Sequence, residues 1–293
     1  MSIVTLSCSN QSPLGRAVAQ ELRLSAIQSG GVAHRFASSE RPPLRDSPAM
    51  TERRLLMTTT GEPYQPVRIT YAIPGRGYVC ARLRKLACME EDRAARSFVI
   101  WLDAEARELD LGTPEAHIEA FNQRVVLGVI RFPKSRAMTM QVRSSQRAIE
   151  LAKLMRGVLG PRVDAVRMRV VNRWFAAEEL TGELDELDRV LDQNVTVIRP
   201  EELERAMEAA LASATTPADK RRALEEFHAS RANEDVPLVE DFPLHPEEET
   251  EDMSDVKNVL NFRFLRAGRR WKGEEVTLRQ VIEEAVAAHG LRG

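Results

Sequence analysis

The 293-residue chain has a formal net charge of −2, but its charge is distributed unevenly. Residues 1–174 carry 27 Lys and Arg against 16 Asp and Glu, whereas residues 175–293 carry 15 against 28. Hydrophobic residues make up 43% of the chain, as in folded soluble proteins, and no apolar run reaches the roughly 18 residues that a membrane-spanning helix needs.

The first 36 residues predict a strand, a helix and a second strand. They lack the charged region and long apolar core of a secretion signal, so we expect a cytoplasmic protein. The helix begins at Ser12-Pro13, because serine is a good N-cap and proline suits the first turn, and it ends at Gly30-Gly31. Residues 37–66 are polar and rich in Pro, Ser and Thr, which predicts a long loop.

The loop between the first strand and the first helix, residues 7–15, is a candidate nucleotide-binding site. A turn of this layout can present backbone N–H groups to a phosphate at a helix N-terminus. Ser9 and Ser12 stand where such turns use glycine, and only Gly15 remains of that pattern. A plain structural strand–helix unit explains the same residues.

The next hundred residues alternate between strand and helix patterns. Residues 67–73 alternate apolar and polar side chains, which predicts a half-buried strand, and Pro74–Gly77 predicts a turn or, alternatively, an anion-binding nest. The apolar residues from Val79 to Leu86 fit a helix, which we expect to continue through Ala95, although a strand over 79–83 fits as well. We also expect a strand over 97–102 and a helix over 113–122.

The clearest pattern is a strand–helix–strand crossover over residues 137–174. A buried strand over 125–132, stopped by Pro133, precedes it. Ser144 or Ser145 caps the connecting helix, which ends at Gly160-Pro161. At this length the two flanking strands are most simply parallel.

The chain after residue 175 is acidic and mostly helical. A short strand over 195–198 precedes helices over 200–214 and 217–230. The last unit contains Trp271 and a helix capped by Thr277. The sequence therefore predicts an α+β (or α/β) protein in four parts: a basic mixed-sheet domain (1–176), an acidic helical region (177–231), an acidic Pro-rich linker (232–255) and a C-terminal helical unit (256–293).

Arginines of the crossover form the main candidate site. If Val166, Met168 and Val170 face the core, then the alternating Arg167 and Arg169 face away from it. Arg173 continues this alternation, and Arg143 follows the same alternation on the neighbouring strand. Arg147 lies on the connecting helix. We predict that this set contacts nucleic-acid phosphates: Arg143, Arg147, Arg167, Arg169 and Arg173. The basic and acidic parts could also dock on each other, within one chain or between copies.

The sequence offers no catalytic motif and no metal-ligand spacing. The three cysteines form no Cys-x-x-Cys pair, and the five histidines are widely scattered. We therefore assign no catalytic residue, no metal and no cofactor. The acidic cluster at 247–252 lacks the ligand pattern of a calcium loop and is best explained as a solvated linker or as a docking strip for a basic partner.

The charge asymmetry favours a non-enzymatic nucleic-acid-associated subunit or assembly protein. Its basic domain would contact DNA or RNA, and its acidic helical part would contact a protein partner or a second copy. One alternative is a nucleotide-binding enzyme or sensor that uses the loop at residues 7–15. Another is a structural protein that assembles through its complementary charge blocks.

Overall fold

The computed structural model describes residues 53–111, 124–180, 188–233, 236–244 and 254–288. The predicted strand–helix–strand unit of residues 1–36, with Ser9, Ser12 and Gly15, lies outside the described residues, as does the helix expected over 113–122. The described part of the predicted 37–66 loop is packed rather than solvated, since Leu56 and Tyr64 are buried.

A mixed sheet of eight strands from the described residues forms the centre of the molecule. The strands are β1 (Val67–Ala72), β2 (Met89–Asp92), β3 (Ser97–Trp101), β4 (Val126–Lys134), β5 (Ala137–Val142), β6 (Asp164–Val171), β7 (Val195–Val197) and β8 (Val239–Pro243). Their order in the sheet is β2-β3-β4-β5-β1-β6-β8-β7. Every pair of neighbouring strands is antiparallel except β7 and β8, which are parallel.

Six helices accompany the sheet within the described ranges, and the protein belongs to the α+β class. They are α1 (Arg76–Leu83), α2 (Ser145–Leu159), α3 (Pro200–Leu211), α4 (Pro217–Asn233), α5 (Ser254–Trp271) and α6 (Leu278–Ala288). None of these helices is both long enough and apolar enough to cross a membrane.

One face of the sheet packs against α1, α2 and α5 and forms the main core. Alternate residues of β1, such as Val67 and Ile69, are fully buried there, together with Leu151 of α2 and Leu260 of α5. This alternation follows from the two-residue period of a strand, which sends every second side chain to the same face.

The centre of the opposite face carries the polar side chains of Arg68, Gln141, Arg167 and Arg169, and we call this polar region the open face. The same face also has two small buried apolar clusters, one with Val99 and Trp101 of β3 and one with Val171 of β6 and Val239 of β8.

Helix α2 begins and ends where its sequence predicts. The Ser144 side chain accepts a hydrogen bond from the Arg147 backbone N–H, and Gly160 ends the helix with φ +73°. The flanking strands β5 and β6 are both antiparallel to β1, which lies between them. These two strands therefore run in the same direction without being neighbours.

Two predictions for the first half of the chain are wrong in detail. Helix α1 ends at Leu83 rather than continuing through Ala95, and Met89–Asp92 forms an edge strand paired with β3. Its charged residues suit an edge position, because exposed edges are commonly protected by charge. Pro133 does not stop β4, which continues to Lys134.

The segment predicted as a linker contributes a strand. Within residues 232–255, β8 pairs with β6 on one side and with β7 on the other. Val239 is fully buried, and Phe242 packs into the main core. The sheet therefore takes strands from both sides of residue 176.

Candidate functional site

The open face gathers arginines from two neighbouring strands. Arg68 of β1 lies opposite Arg169 of β6, and Thr70 lies opposite Arg167. The alternation of β6 thus places Arg167 and Arg169 away from the main core, where Met168 and Val170 are fully buried. Arg68, which the sequence analysis did not select, completes a group of three adjacent guanidinium groups.

Two aspartates from the acidic half of the chain bind this group. The Asp241 carboxylate of β8 accepts hydrogen bonds from Arg167 Nε at 2.6 Å and from Arg169 Nη2 at 2.7 Å. Asp192 Oδ1 lies 2.6 Å from Arg68 Nη1 and 2.8 Å from Arg169 Nη1. The hydrogen bond from Arg68 lowers the pKa of Asp192 below its ordinary value.

These ion pairs are fixed by the fold around them. Asp192 ends a 3-10 helix, Arg189–Asp192, in which the Leu191 side chain is fully buried. Asp241 lies within β8, hydrogen-bonded into the sheet. The basic and acidic parts are therefore docked within one chain at this face, where two carboxylates bind three guanidinium groups and each arginine has a carboxylate partner.

Arg143 and Arg173 are also bound by carboxylates of the same chain. Arg143 Nη2 donates to Asp188 Oδ2 at 3.1 Å, and the other oxygen of Asp188 accepts from the Tyr64 hydroxyl at 2.5 Å. Arg173 Nη1 lies 2.8 Å from Glu179 Oε2. Each of these two arginines thus has a carboxylate partner inside the molecule.

Arg147 lies in the interior, with a side chain that is 0% exposed. Its guanidinium donates to the Thr59 and Thr60 hydroxyls and to the Val126 carbonyl, and it lies 3.6 Å from Glu62 Oε2. Burial lowers the pKa of Arg147, and the Glu62 charge acts in the opposite direction. This arginine is a structural residue and is inaccessible to a polyanion.

Of the predicted set, the structure places Arg167 and Arg169 side by side on the open face. Arg143, which follows β5, is bound by Asp188 at the start of the 3-10 helix that carries Asp192. Arg147 is internal, and Arg173 lines a separate pocket. Strand parity locates Arg167 and Arg169 correctly, but it carries no information about carboxylates that arrive from distant parts of the chain.

A different cluster of cations lies at one end of the sheet, where β1 and β4 end and β3, β5 and β6 begin. The pairing of Ser97 with Arg131, and of Ala72 with both Ala137 and Asp164, brings three turns to this end. Six exposed cations in or beside these turns define what we call the basic end: Arg93, Arg96, Arg131, Lys134, Arg136 and Arg162.

Most cations of the basic end have no carboxylate partner among the described residues. Arg93 lies 3.9 Å from Glu91, whose carboxylate is also held by Arg84. Within the described ranges, the other five members form no ion pair and no side-chain hydrogen bond. Of the local acids, Asp92 is buried and accepts from the Ala95 backbone N–H. The cations of the basic end therefore face solvent.

An aromatic ring lies beside the basic end, but it is covered. The guanidinium carbon of Arg76 lies 5.1 Å from the centroid of the Phe132 ring, which also packs edge-on against Phe98. Arg76 is the first residue of α1, so the Pro74–Gly77 segment leads into a helix beside this surface. The arrangement suits contacts to phosphates rather than stacking on bases.

The described residues include no group of three or more His, Cys, Asp or Glu side chains that could hold a metal ion. Cys80 and Cys88 are buried free thiols, and burial raises the pKa of Cys88 to about 12. A thiol with so high a pKa is protonated at neutral pH, so Cys88 is unsuited to act as a nucleophile.

No protein family model, curated protein or solved structure matches this chain. The residues themselves therefore carry the functional proposal.

Proposed function

We propose that this protein is a non-enzymatic, nucleic-acid-associated subunit that contacts the phosphate backbone through its basic end. The observation that carries the proposal is the absence of ion pairs at Arg96, Arg131, Lys134, Arg136 and Arg162 among the residues that the structure describes. Cations that are already neutralised gain little from a phosphate, whereas these solvent-facing cations can release counterions from a nucleic acid.

The shape of the basic end supports the same proposal. The β4–β5 hairpin carries Arg131, Lys134 and Arg136 within six residues of chain, and a two-stranded ribbon of this kind fits a nucleic-acid groove. Arg93 and Arg96 of the β2–β3 turn lie at the same end of the sheet. Several phosphates are then within reach of the same end of the sheet.

The acidic helices α3 and α4 support the second half of the proposal, a contact with a protein partner. None of their described side chains is fully buried, and Met207, Leu211 and Leu224 are half-buried. Exposed acids of the same helices, such as Glu208 and Glu225, lie next to these apolar residues in the sequence. A partner with a basic rim around an apolar patch would match this surface.

A salt titration of binding to fluorescent DNA and RNA oligonucleotides tests the nucleic-acid proposal. We compare the full chain with a variant that replaces three hairpin cations by glutamate, Arg131→Glu, Lys134→Glu and Arg136→Glu. The matched control makes the same charge change on exposed residues of α4, Lys220→Glu, Arg221→Glu and Arg222→Glu.

We expect the hairpin variant to weaken binding by more than about tenfold and to lower the slope of log affinity against log salt by roughly three. The α4 variant should keep most of both quantities. The proposal fails if the wild-type protein shows no salt-dependent binding, or if the two variants lose affinity equally.

A further inference from the structure

The basic end consists of three cationic turns that lie side by side across the end of the sheet. Arg93 and Arg96 belong to the turn between β2 and β3. Lys134 and Arg136 belong to the β4–β5 hairpin, and Arg162 precedes β6 by two residues. The strand order β2-β3-β4-β5-β1-β6 places the hairpin between the other two turns.

The spacing of these turns follows from the sheet, in which neighbouring strands lie about 4.8 Å apart. The β2–β3 turn is two strand positions from the hairpin, which corresponds to about 10 Å. On the other side, β6 begins about two and a half strand positions from the hairpin, or about 12 Å. The hairpin therefore has a cationic flank on each side at a similar distance.

The tip of the hairpin is exposed and narrow. Lys134 pairs with Ala137, which leaves a two-residue turn, and residues 133–136 are all exposed. These residues lie beyond Ser97–Arg131, the last pair that β4 forms with β3. The tip therefore extends past β3 as a ribbon of two strands with its cations in solvent.

Duplex DNA matches the hairpin and both of its flanks at once. The major groove of B-form DNA is about 12 Å wide, admits a two-stranded ribbon and is bordered by a phosphate backbone on each side. With the hairpin in this groove, the β2–β3 turn and Arg162 lie towards the two backbones. The major groove of an RNA duplex is deep and too narrow for such a contact.

The aromatic side chains near the basic end also favour a duplex. Every Phe, Tyr and Trp side chain in the described ranges is buried or half-buried. Arg76 covers the Phe132 ring, and the Arg82 guanidinium lies 3.6 Å from the centroid of the Tyr78 ring. Proteins that bind single strands combine cations with aromatic rings on which the bases stack. Cations beside covered rings suit a nucleic acid whose bases are already stacked on each other.

We propose that the basic end binds double-stranded B-form DNA. The β4–β5 hairpin lies in the major groove, and the β2–β3 turn and Arg162 contact the two bordering backbones. This inference rests on the proposed function and names the class of nucleic acid for the same site. It requires phosphate contacts on both sides of the hairpin, because the two flanks face different backbones.

Fluorescence anisotropy with the full chain tests the proposal on three probes: a DNA duplex, an RNA duplex of the same sequence, and one DNA strand alone. We expect the DNA duplex to bind about tenfold or more tightly than each of the other two probes at the same salt concentration. Equal affinities for the three probes, with a salt-dependent slope retained, would overturn this inference and leave the proposed function standing. No salt-dependent binding to any probe would overturn both.

Variants of the two flanks test the predicted arrangement on the duplex. Arg96→Gln and Arg162→Gln should each lower the slope of log affinity against log salt for the DNA duplex by roughly one, and the double variant by roughly two. The matched control, Arg221→Gln on α4, should leave the slope unchanged. A slope that is unchanged in either flank variant would show that the duplex does not contact both sides of the hairpin, and would overturn the inference.

Discussion

The open face and the basic end place arginines on the same sheet in opposite electrostatic situations. On the open face, Asp192 and Asp241 bind the arginines of β1 and β6. At the basic end, five of six cations form no ion pair within the described part of the chain. A cluster of arginines is therefore informative about ligands only when the carboxylates around it are known.

Removal of the buried Arg147 guanidinium should give the largest change in stability. Arg147→Met keeps much of the side-chain length but leaves Glu62 and the Thr59 and Thr60 hydroxyls without their cation. We expect a loss of about 3–5 kcal/mol in the free energy of unfolding, because a buried charge loses its partner.

Urea denaturation of wild type and Arg147→Met measures this loss. The matched control, Arg131→Met at the basic end, should change the free energy of unfolding by less than about 0.5 kcal/mol. A loss below about 1 kcal/mol for Arg147→Met would contradict the assignment of this arginine as a structural residue.

Loss of the Asp241 carboxylate should have the next largest effect. Asp241→Asn removes the charge that holds Arg167 and Arg169, and the carboxylate is only 9% exposed. Both arginines retain partial contact with water, so we expect about 1–3 kcal/mol of destabilisation rather than the full cost of a buried pair. Thermal unfolding of the variant measures it, and an unchanged midpoint would show that these ion pairs are dispensable.

A smaller effect, with a defined pH dependence, is expected at Asp192. The ordinary pKa of an aspartate is 3.8, and the pKa of Asp192 in the folded state is lower. The ionised carboxylate therefore stabilises the fold fully at pH values above 3.8. The contribution disappears as the pH falls below 3.8 and through the lowered folded-state pKa. Because the side chain is 56% exposed, Asp192→Asn should cost no more than about 1 kcal/mol at pH 7.

Denaturant titrations at pH 7 and pH 3 test this behaviour. The difference in unfolding free energy between wild type and Asp192→Asn should be present at pH 7 and smaller at pH 3, and high salt should also reduce it. A difference that grows on acidification would mean that Asp192 is not held as a carboxylate by Arg68 and Arg169.

Local patterns predicted the elements whose own signals lie close together in the sequence. The alternation of β1, the Ser144 cap and the Gly160 end of α2 all follow from residues within a few positions of each other. The strand β8 was missed because two acids separate its apolar residues, so the segment shows no two-residue alternation. Val239 and Phe242 are three positions apart and pack into different apolar clusters on opposite faces of the sheet.

The candidate site was predictable only in part for the same reason. Parity placed Arg167 and Arg169 on one face, but Asp192 and Asp241 reach them from distant segments. The basic end joins turns that are far apart in sequence, so no local window contains it: Arg96 and Arg131 are 35 positions apart, and Arg136 and Arg162 are 26 positions apart. The sequence signal that could have indicated the basic end was the group of cations between two predicted strands at Arg131–Arg136.

The salt dependence of oligonucleotide binding by two neutralising variants tests the central claim most directly. One variant carries Arg131→Gln, Lys134→Gln and Arg136→Gln, and the other carries Arg68→Gln, Arg167→Gln and Arg169→Gln. We expect the basic-end variant to lower the slope of log affinity against log salt by roughly two to three. The open-face variant, measured under conditions in which it is folded, should keep the wild-type slope. Loss of the slope in the open-face variant alone would contradict the account.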